Sequence, residues 1–126
     1  MAGTDETHGW AAVVSDLRIT LRGGTGADVA FVLAELRRLV EGLVDGETVL
    51  AATVTGGRTE EGTVVLVRLT VLAEDLLGGQ VVAMALLRQA LDEVRDATLG
   101  SGLWLDEEAV AARWATELPA AGDPAG

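Results

Sequence analysis

From Ser15 to Arg22 the chain alternates residue by residue. Leu17, Ile19 and Leu21 fall on one side, and Asp16, Arg18, Thr20 and Arg22 on the other. A period of two marks a half-buried strand, and the pattern predicts one over Ala11–Arg22. Gly23-Gly24-Thr25-Gly26 then breaks it. Thr25 is a good helix N-cap, and Asp28 three residues on completes a variant capping box. Beyond it Val29, Val32, Leu33, Leu36, Val40 and Leu43 recur at helical spacing, which predicts a helix over Ala27–Val44 ended by Asp45-Gly46. Thr48–Thr55 and Thr63–Ala73 are rich in Val, Thr and Leu, and read as two strands joined by a Gly-rich loop over Gly56–Gly62. Gly78-Gly79 reads as the next break. A second helix follows over Gln80–Leu99, with Met84, Leu87, Leu91 and Val94 as its stripe. Leu103-Trp104-Leu105 suits a short fourth strand. Asp106 then reads as the cap of a third helix, with Glu107 and Glu108 in its first turn and Val110, Trp114 and Leu118 on one face.

The order is therefore β-α-β-β-α, with a short fourth strand and an added C-terminal helix. This is an α+β plan. It resembles the ferredoxin-like two-layer sandwich, a split β-α-β unit with its first and third strands adjacent in the centre and both helices on one face. The expected domain covers residues 10–118. Residues 1–9 and 119–126 are small, polar and acidic or Pro- and Gly-containing, and read as flexible tails.

Composition adds constraints. The chain has 126 residues, ordinary for one domain, and 49% of them are hydrophobic, which is incompatible with wholesale disorder. The formal charge is −11, so a phosphate backbone or an anionic membrane is repelled by most of the surface; neither nucleic acid nor membrane is an expected partner. No apolar run reaches the ~18 residues that span a bilayer, and the first residues lack the basic and apolar regions of a secretory leader. With no cysteine besides, the expected location is the cytoplasm. All nine basic residues are arginine, as a GC-rich coding sequence would give.

Much catalytic chemistry is missing from the side-chain set. There is no Cys, Lys or Tyr, and the one His is His8, in the N-terminal tail. That leaves no thiol nucleophile, no Schiff-base amine and no positioned imidazole. Glu60-Glu61 and Glu74-Asp75 are adjacent acids in loops, which usually serve as solvated charges. No run of oxygen ligands suits a metal. The turn at Gly23–Gly26 sits where strand and helix could hold a phosphate, but it lacks the third glycine of the dinucleotide motif and the Gly-Lys of a P-loop. No catalytic residue, metal or cofactor is assigned, and the chain leans away from being an enzyme.

What remains is surface. Val49, Ala51, Thr53 and Thr55 of the second strand, and Val64, Leu66, Arg68, Thr70 and Leu72 of the third, are expected on the sheet face away from the helices. Arg18, Arg22 and Arg68 share that face. They suit a small anionic ligand or an interface, or pairing inside the chain with Asp16 as the obvious partner. Phe31, Val81 and Val82 stand off the apolar stripes of their helices, and with Leu66 and Leu72 they are the candidate interface. The leading expectation is a non-enzymatic interaction or structural domain that forms homo-oligomers. A second is a small-anion-binding regulatory domain. The β-α-β-β-α order and the Gly-containing first loop are similar to ACT-type regulatory domains, a resemblance of topology that transfers no residues. A third is a small enzyme with its cavity between the sheets of a dimer, an analogy from fold alone.

Overall fold

The computed structural model of the chain describes residues 10–60 and 62–115. The expected tails, His8 and Leu118 lie outside the described residues. Four strands and two helices follow in the order β1 (Ala11–Arg22), α1 (Gly26–Glu41), β2 (Val49–Thr59), β3 (Gly62–Ala73), α2 (Leu76–Ala97) and β4 (Trp104–Trp114). The strands form one antiparallel sheet ordered β2-β3-β1-β4. The class is α+β, and β1 and β3 lie side by side in the centre.

The alternation of β1 does what its pattern implies. Val13, Leu17, Ile19 and Leu21 are buried, and β3 sets Val65, Val67, Leu69 and Val71 beside them. Val32, Leu36 and Val40 of α1, and Ala83, Leu87, Leu91 and Val94 of α2, complete one core on that side of the sheet. No described element covers the other side. α1 begins at the capping box: the Thr25 amide donates to Asp28 Oδ2 at 2.8 Å, and the Asp28 amide donates to Thr25 Oγ1 at 3.2 Å. At its far end the Asp45 carboxylate accepts from the amides of Glu47, Thr48 and Val49 at 2.8–2.9 Å, which fixes the turn into β2.

The chain differs from the sequence expectation in four places. The largest concerns the added C-terminal helix: Asp106 to Trp114 is strand, and with Trp104-Leu105 it forms an eleven-residue β4 paired to β1 from Arg22↔Trp104 to Val13↔Trp114. Asp106 caps nothing. A central strand needs a hydrogen-bonding neighbour on each side, and that demand outweighs the helix propensity of Ala, Glu and Arg, which amounts to a few tenths of a kcal/mol per residue. Second, α2 starts at Leu76 rather than Gln80. Asp75 is its N-cap, accepting from the Gly78 amide, so Gly78 and Gly79 lie inside the first turn. Third, Gly56, Gly57 and Arg58 belong to β2, paired with Val65, Val64 and Thr63, so the hairpin turn is far shorter than the predicted loop. Fourth, a register shift between Val49 and Ala51 turns Val49 into the core, 3% exposed, and off the outer face on which alternation puts it.

Candidate functional site

Cross-strand register assigns the uncovered sheet face. β2 contributes Ala51, Thr53 and Thr55; β3 contributes Val64, Leu66, Arg68, Thr70 and Leu72. β1 adds Val14, Asp16, Arg18, Thr20 and Arg22, and β4 adds Trp104, Asp106, Glu108, Val110 and Arg113. At its centre is an ionic cluster. Asp16 lies directly across from Arg68, whose Nε and Nη2 donate to Asp16 Oδ1 and Oδ2 at 2.9 and 3.2 Å. From the other side Arg113 Nη1 donates to Asp16 Oδ2 at 3.2 Å. The two arginine side chains lie over the carboxylate, which is only 7% exposed. Burial pushes the Asp16 carboxyl up, but the hydrogen bonds and charges of Arg68 and Arg113 outweigh it, and the net shift is downward.

This arrangement divides the three arginines expected to act together. Arg68 is engaged by Asp16. Arg22 is directed along the sheet to Asp106, 3.7 Å from its carboxylate. Arg18 lies across from Leu66 on one side and Glu108 on the other. They share a face but do not converge on one point. Arg113, the third member of the ionic cluster, went unassigned in the sequence because its segment reads as helix. Once β4 is known, the register alone brings it to Asp16.

Arg22 also borders a hollow of about 390 Å³ formed where β1, β3 and α1 meet. The turn Gly23–Gly26 makes one wall, and Arg58 and Thr59 of β2 another. Gly23 and Gly24 have φ of +79° and +68°, which lets the backbone turn sharply enough to bring the N-terminus of α1 to this rim. Asp28 stands at the same helix end. Arg58 was not singled out in the sequence, because its strand reads as loop.

The displaced carboxylates all move in one direction. Glu35 is lowered by the hydrogen bond from Arg38, and Asp45 by the three backbone amides it accepts from. Acids held ionised are poor proton donors at neutral pH. Of the adjacent acids Glu74 and Asp75, Asp75 caps α2, its carboxylate accepting from the Gly78 amide at 2.6 Å. Among the described residues no cluster of acids and His has the makings of a metal site, and no helix is long and apolar enough to cross a membrane.

The remaining expected interface residues lie elsewhere. Leu66 and Leu72 are half-buried on the open face. Phe31, 42% exposed, borders a shallow hollow between the start of α1 and the end of α2, beside Leu99. Val81 and Val82 stand exposed on α2. Sequence reasoning missed larger apolar exposures at Leu77, Leu99 and Trp104, and a smaller one at Trp114. Leu77 reads as part of the turn before α2, Trp104 as part of the short fourth strand, and Trp114 as a packed residue of a third helix. On α2, Leu77 occupies the same flank as Met84, Arg88 and Arg95, seven, eleven and eighteen residues on. That flank faces β4: Arg88 and Arg95 reach Glu107 at 3.5 and 3.0 Å, and Gln80 Nε2 donates to the Val110 carbonyl at 3.4 Å.

No protein-family model matches this chain, and no curated protein does. Among solved structures it is similar to a de novo designed protein, Foldit4, at 18% identity and a TM-score of 0.47, over 77% of this chain and 96% of that one. It is also similar to part of a hydantoinase/carbamoylase family amidase from Burkholderia ambifaria, at 19% identity and a TM-score of 0.44, over 84% of this chain and 29% of the amidase. A related amidase from Burkholderia multivorans gives 16% identity and a TM-score of 0.41, over 82% and 28%. The chain thus spans under a third of each amidase, and these likenesses concern general shape alone.

Proposed function

We propose that this chain is a non-enzymatic, cytoplasmic self-association domain built on the ferredoxin-like plan. The adjacency of β1 and β3, with both helices on one side, supports the plan. One observation carries the functional reading: large apolar side chains are left in water along α2 and β4. Leu77 is 70% exposed, Val81 59%, Trp104 71%, Trp114 39% and Val110 37%. Scattered exposed apolar residues are ordinary, but large ones on both sides of one sheet edge, Leu77, Val81 and Trp114 on the helix side and Trp104 and Val110 on the open face, favour a protein partner. The satisfied ionic cluster on the open face, and acids held low rather than raised, favour a structural role over a catalytic one. Sedimentation velocity on the full chain tests the reading: a dimer or larger species is expected at micromolar concentration, and a clean monomer there overturns it.

A second reading, small-anion binding, is favoured by the hollow at Gly23–Gly26, where Arg22 and Arg58 come to one rim. It calls for thermal stabilisation by phosphate, sulfate or an organic acid, reduced in Arg58→Ala. No shift with any of these anions removes it.

A further inference from the structure

We propose that two copies of the chain pair antiparallel along β4, around a two-fold axis at Val110, into one continuous eight-stranded sheet. The proposal rests on the self-association reading and names its surface.

β4 is an edge strand, with β1 on one side and no described strand on the other. An edge of eleven residues is a template for another strand unless something blunts it. Each edge has a register shift and a carbonyl held by a side chain of its own chain, Val54 by Arg37 on β2, and Val110 and Leu105 by Gln80 and Arg95 on β4; what sets the edges apart is that β2 carries the two glycines Gly56 and Gly57 and β4 an uncharged, apolar middle. On β4 the acids that could repel a neighbour are drawn to arginines of their own chain. Asp106 faces Arg22, and Glu107 faces Arg88 and Arg95. Between Glu108 and Arg113 lies Ala109-Val110-Ala111-Ala112, uncharged and small, in a chain of net charge −11. Two such chains meet least repulsion there.

Charge and register select a second copy in antiparallel orientation. Asp16 pairs with Val110 and Val14 with Arg113, so one β1 residue, Ser15, stands opposite two of β4, Ala111 and Ala112. This bulge places Glu108, Val110 and Arg113 on the same sheet face, although their numbers differ in parity. Pairing about Val110 then sets Val110 against its own copy, and Glu108 of each strand opposite Arg113 of the other, with matching faces. A parallel copy would set like charge against like. The same axis keeps both α2 helices on one side of the sheet. It brings their β4-facing flanks together at the level of Gln80, where Leu77 and Val81 are exposed. Strand addition supplies backbone hydrogen bonds and the helix flanks supply apolar burial, the combination that makes such pairing stable.

The chain has no cysteine, so single cysteines report cleanly. Directly opposed residues of an antiparallel pair have Cα atoms about 4.5–5.5 Å apart, within disulfide range. Under mild oxidation Val110→Cys is expected to give a covalent dimer at least tenfold faster than Leu50→Cys on the other edge. Val110→Lys, with an unchanged circular dichroism spectrum, is expected to weaken association at least tenfold. If the native chain is a monomer, both this proposal and the self-association reading fall. If it is an oligomer but Val110→Cys cross-links no faster than Leu50→Cys, this proposal alone falls. Hydrogen exchange separates the remaining occupant, read at those amides of Ala109–Ala112 that point away from β1: protection of these that persists at dilutions where the chain is monomeric means that the chain covers its own edge, and overturns pairing with a second copy.

Discussion

An aspartate near the middle of a central strand is costly unless its charge is met, and Asp16 is met from both sides. Replacing it with Asn leaves Arg68 and Arg113 facing an uncharged amide. Because those arginines are 43% and 47% exposed, water relieves part of the loss. Asp16→Asn is expected to cost about 1–3 kcal/mol in urea unfolding. The pH dependence follows from the lowered pKa. The folded value lies below the ordinary 3.8, so the contribution is complete above the ordinary value and is lost as pH falls through the folded one. Acid unfolding of Asp16→Asn should therefore show a shallower loss of stability below about pH 4 than the parent. The neighbouring Ser15 presents the opposite case. Its hydroxyl is fully buried with no hydrogen-bond partner, so Ser15→Ala is expected to raise stability by about 1 kcal/mol, read as a higher urea midpoint at unchanged slope. At this scale the strand alternation made the Arg68–Asp16 pair legible. It could not bring in Arg113, whose position depends on a strand pairing nearly a hundred residues along the chain.

The elements divide by whether their signal is local. β1, α1 and β3 carry unbroken periodicity and were readable to within a few residues. The α1 start is fixed by the Thr25–Asp28 box, which is a short-range device. Beyond Leu105, β4 is not readable in this way, because its Asp-Glu-Glu run and Ala-rich middle match a helix and only β1 makes them a strand. The two glycines at the head of α2 misled for a related reason. Gly79 looks like a breaker, yet it is buried inside the helix against Val13, and a Cβ built on it would lie 2.7 Å from the Val13 Cβ. It is there so that helix and strand can approach. Gly79→Ala should therefore destabilise by about 1–3 kcal/mol, although alanine is the better helix former by about 1 kcal/mol. Gly26, at the first position of α1, meets nothing within 4 Å, and Gly26→Ala should be neutral or stabilising by up to about 1 kcal/mol. Thermal unfolding of the two variants side by side separates close packing from helix propensity, which alone predicts gains at both.

For the whole molecule, the sequence suggested a half-apolar sheet face as the surface least suited to a monomer. The fold moves that surface. The centre of the open face is occupied by Asp16 and its two arginines, with Val14 and Thr70 nearly buried around them, and the larger apolar exposures lie away from that centre, at Leu77 and Val81 on α2, at Leu99 just after it, and at Trp104 at the end of β4. The two surfaces differ in how salt should act on association. A contact made through the ionic face would weaken as salt screens its charge pairs. A contact made through Ala109–Ala112 and the α2 flank has little charge at its centre, so the dominant long-range force is repulsion between two bodies of charge −11. The screening length is about 30 Å at 0.01 M salt and about 8 Å at 0.15 M, so that repulsion reaches across a protomer at low salt and is largely removed at physiological salt. The paired Glu108 and Arg113 oppose this trend, but they are two pairs set against the net charge of two whole chains. Self-association measured by sedimentation equilibrium should therefore tighten as sodium chloride rises through that range, and a weakening would place the contact on the ionic face instead.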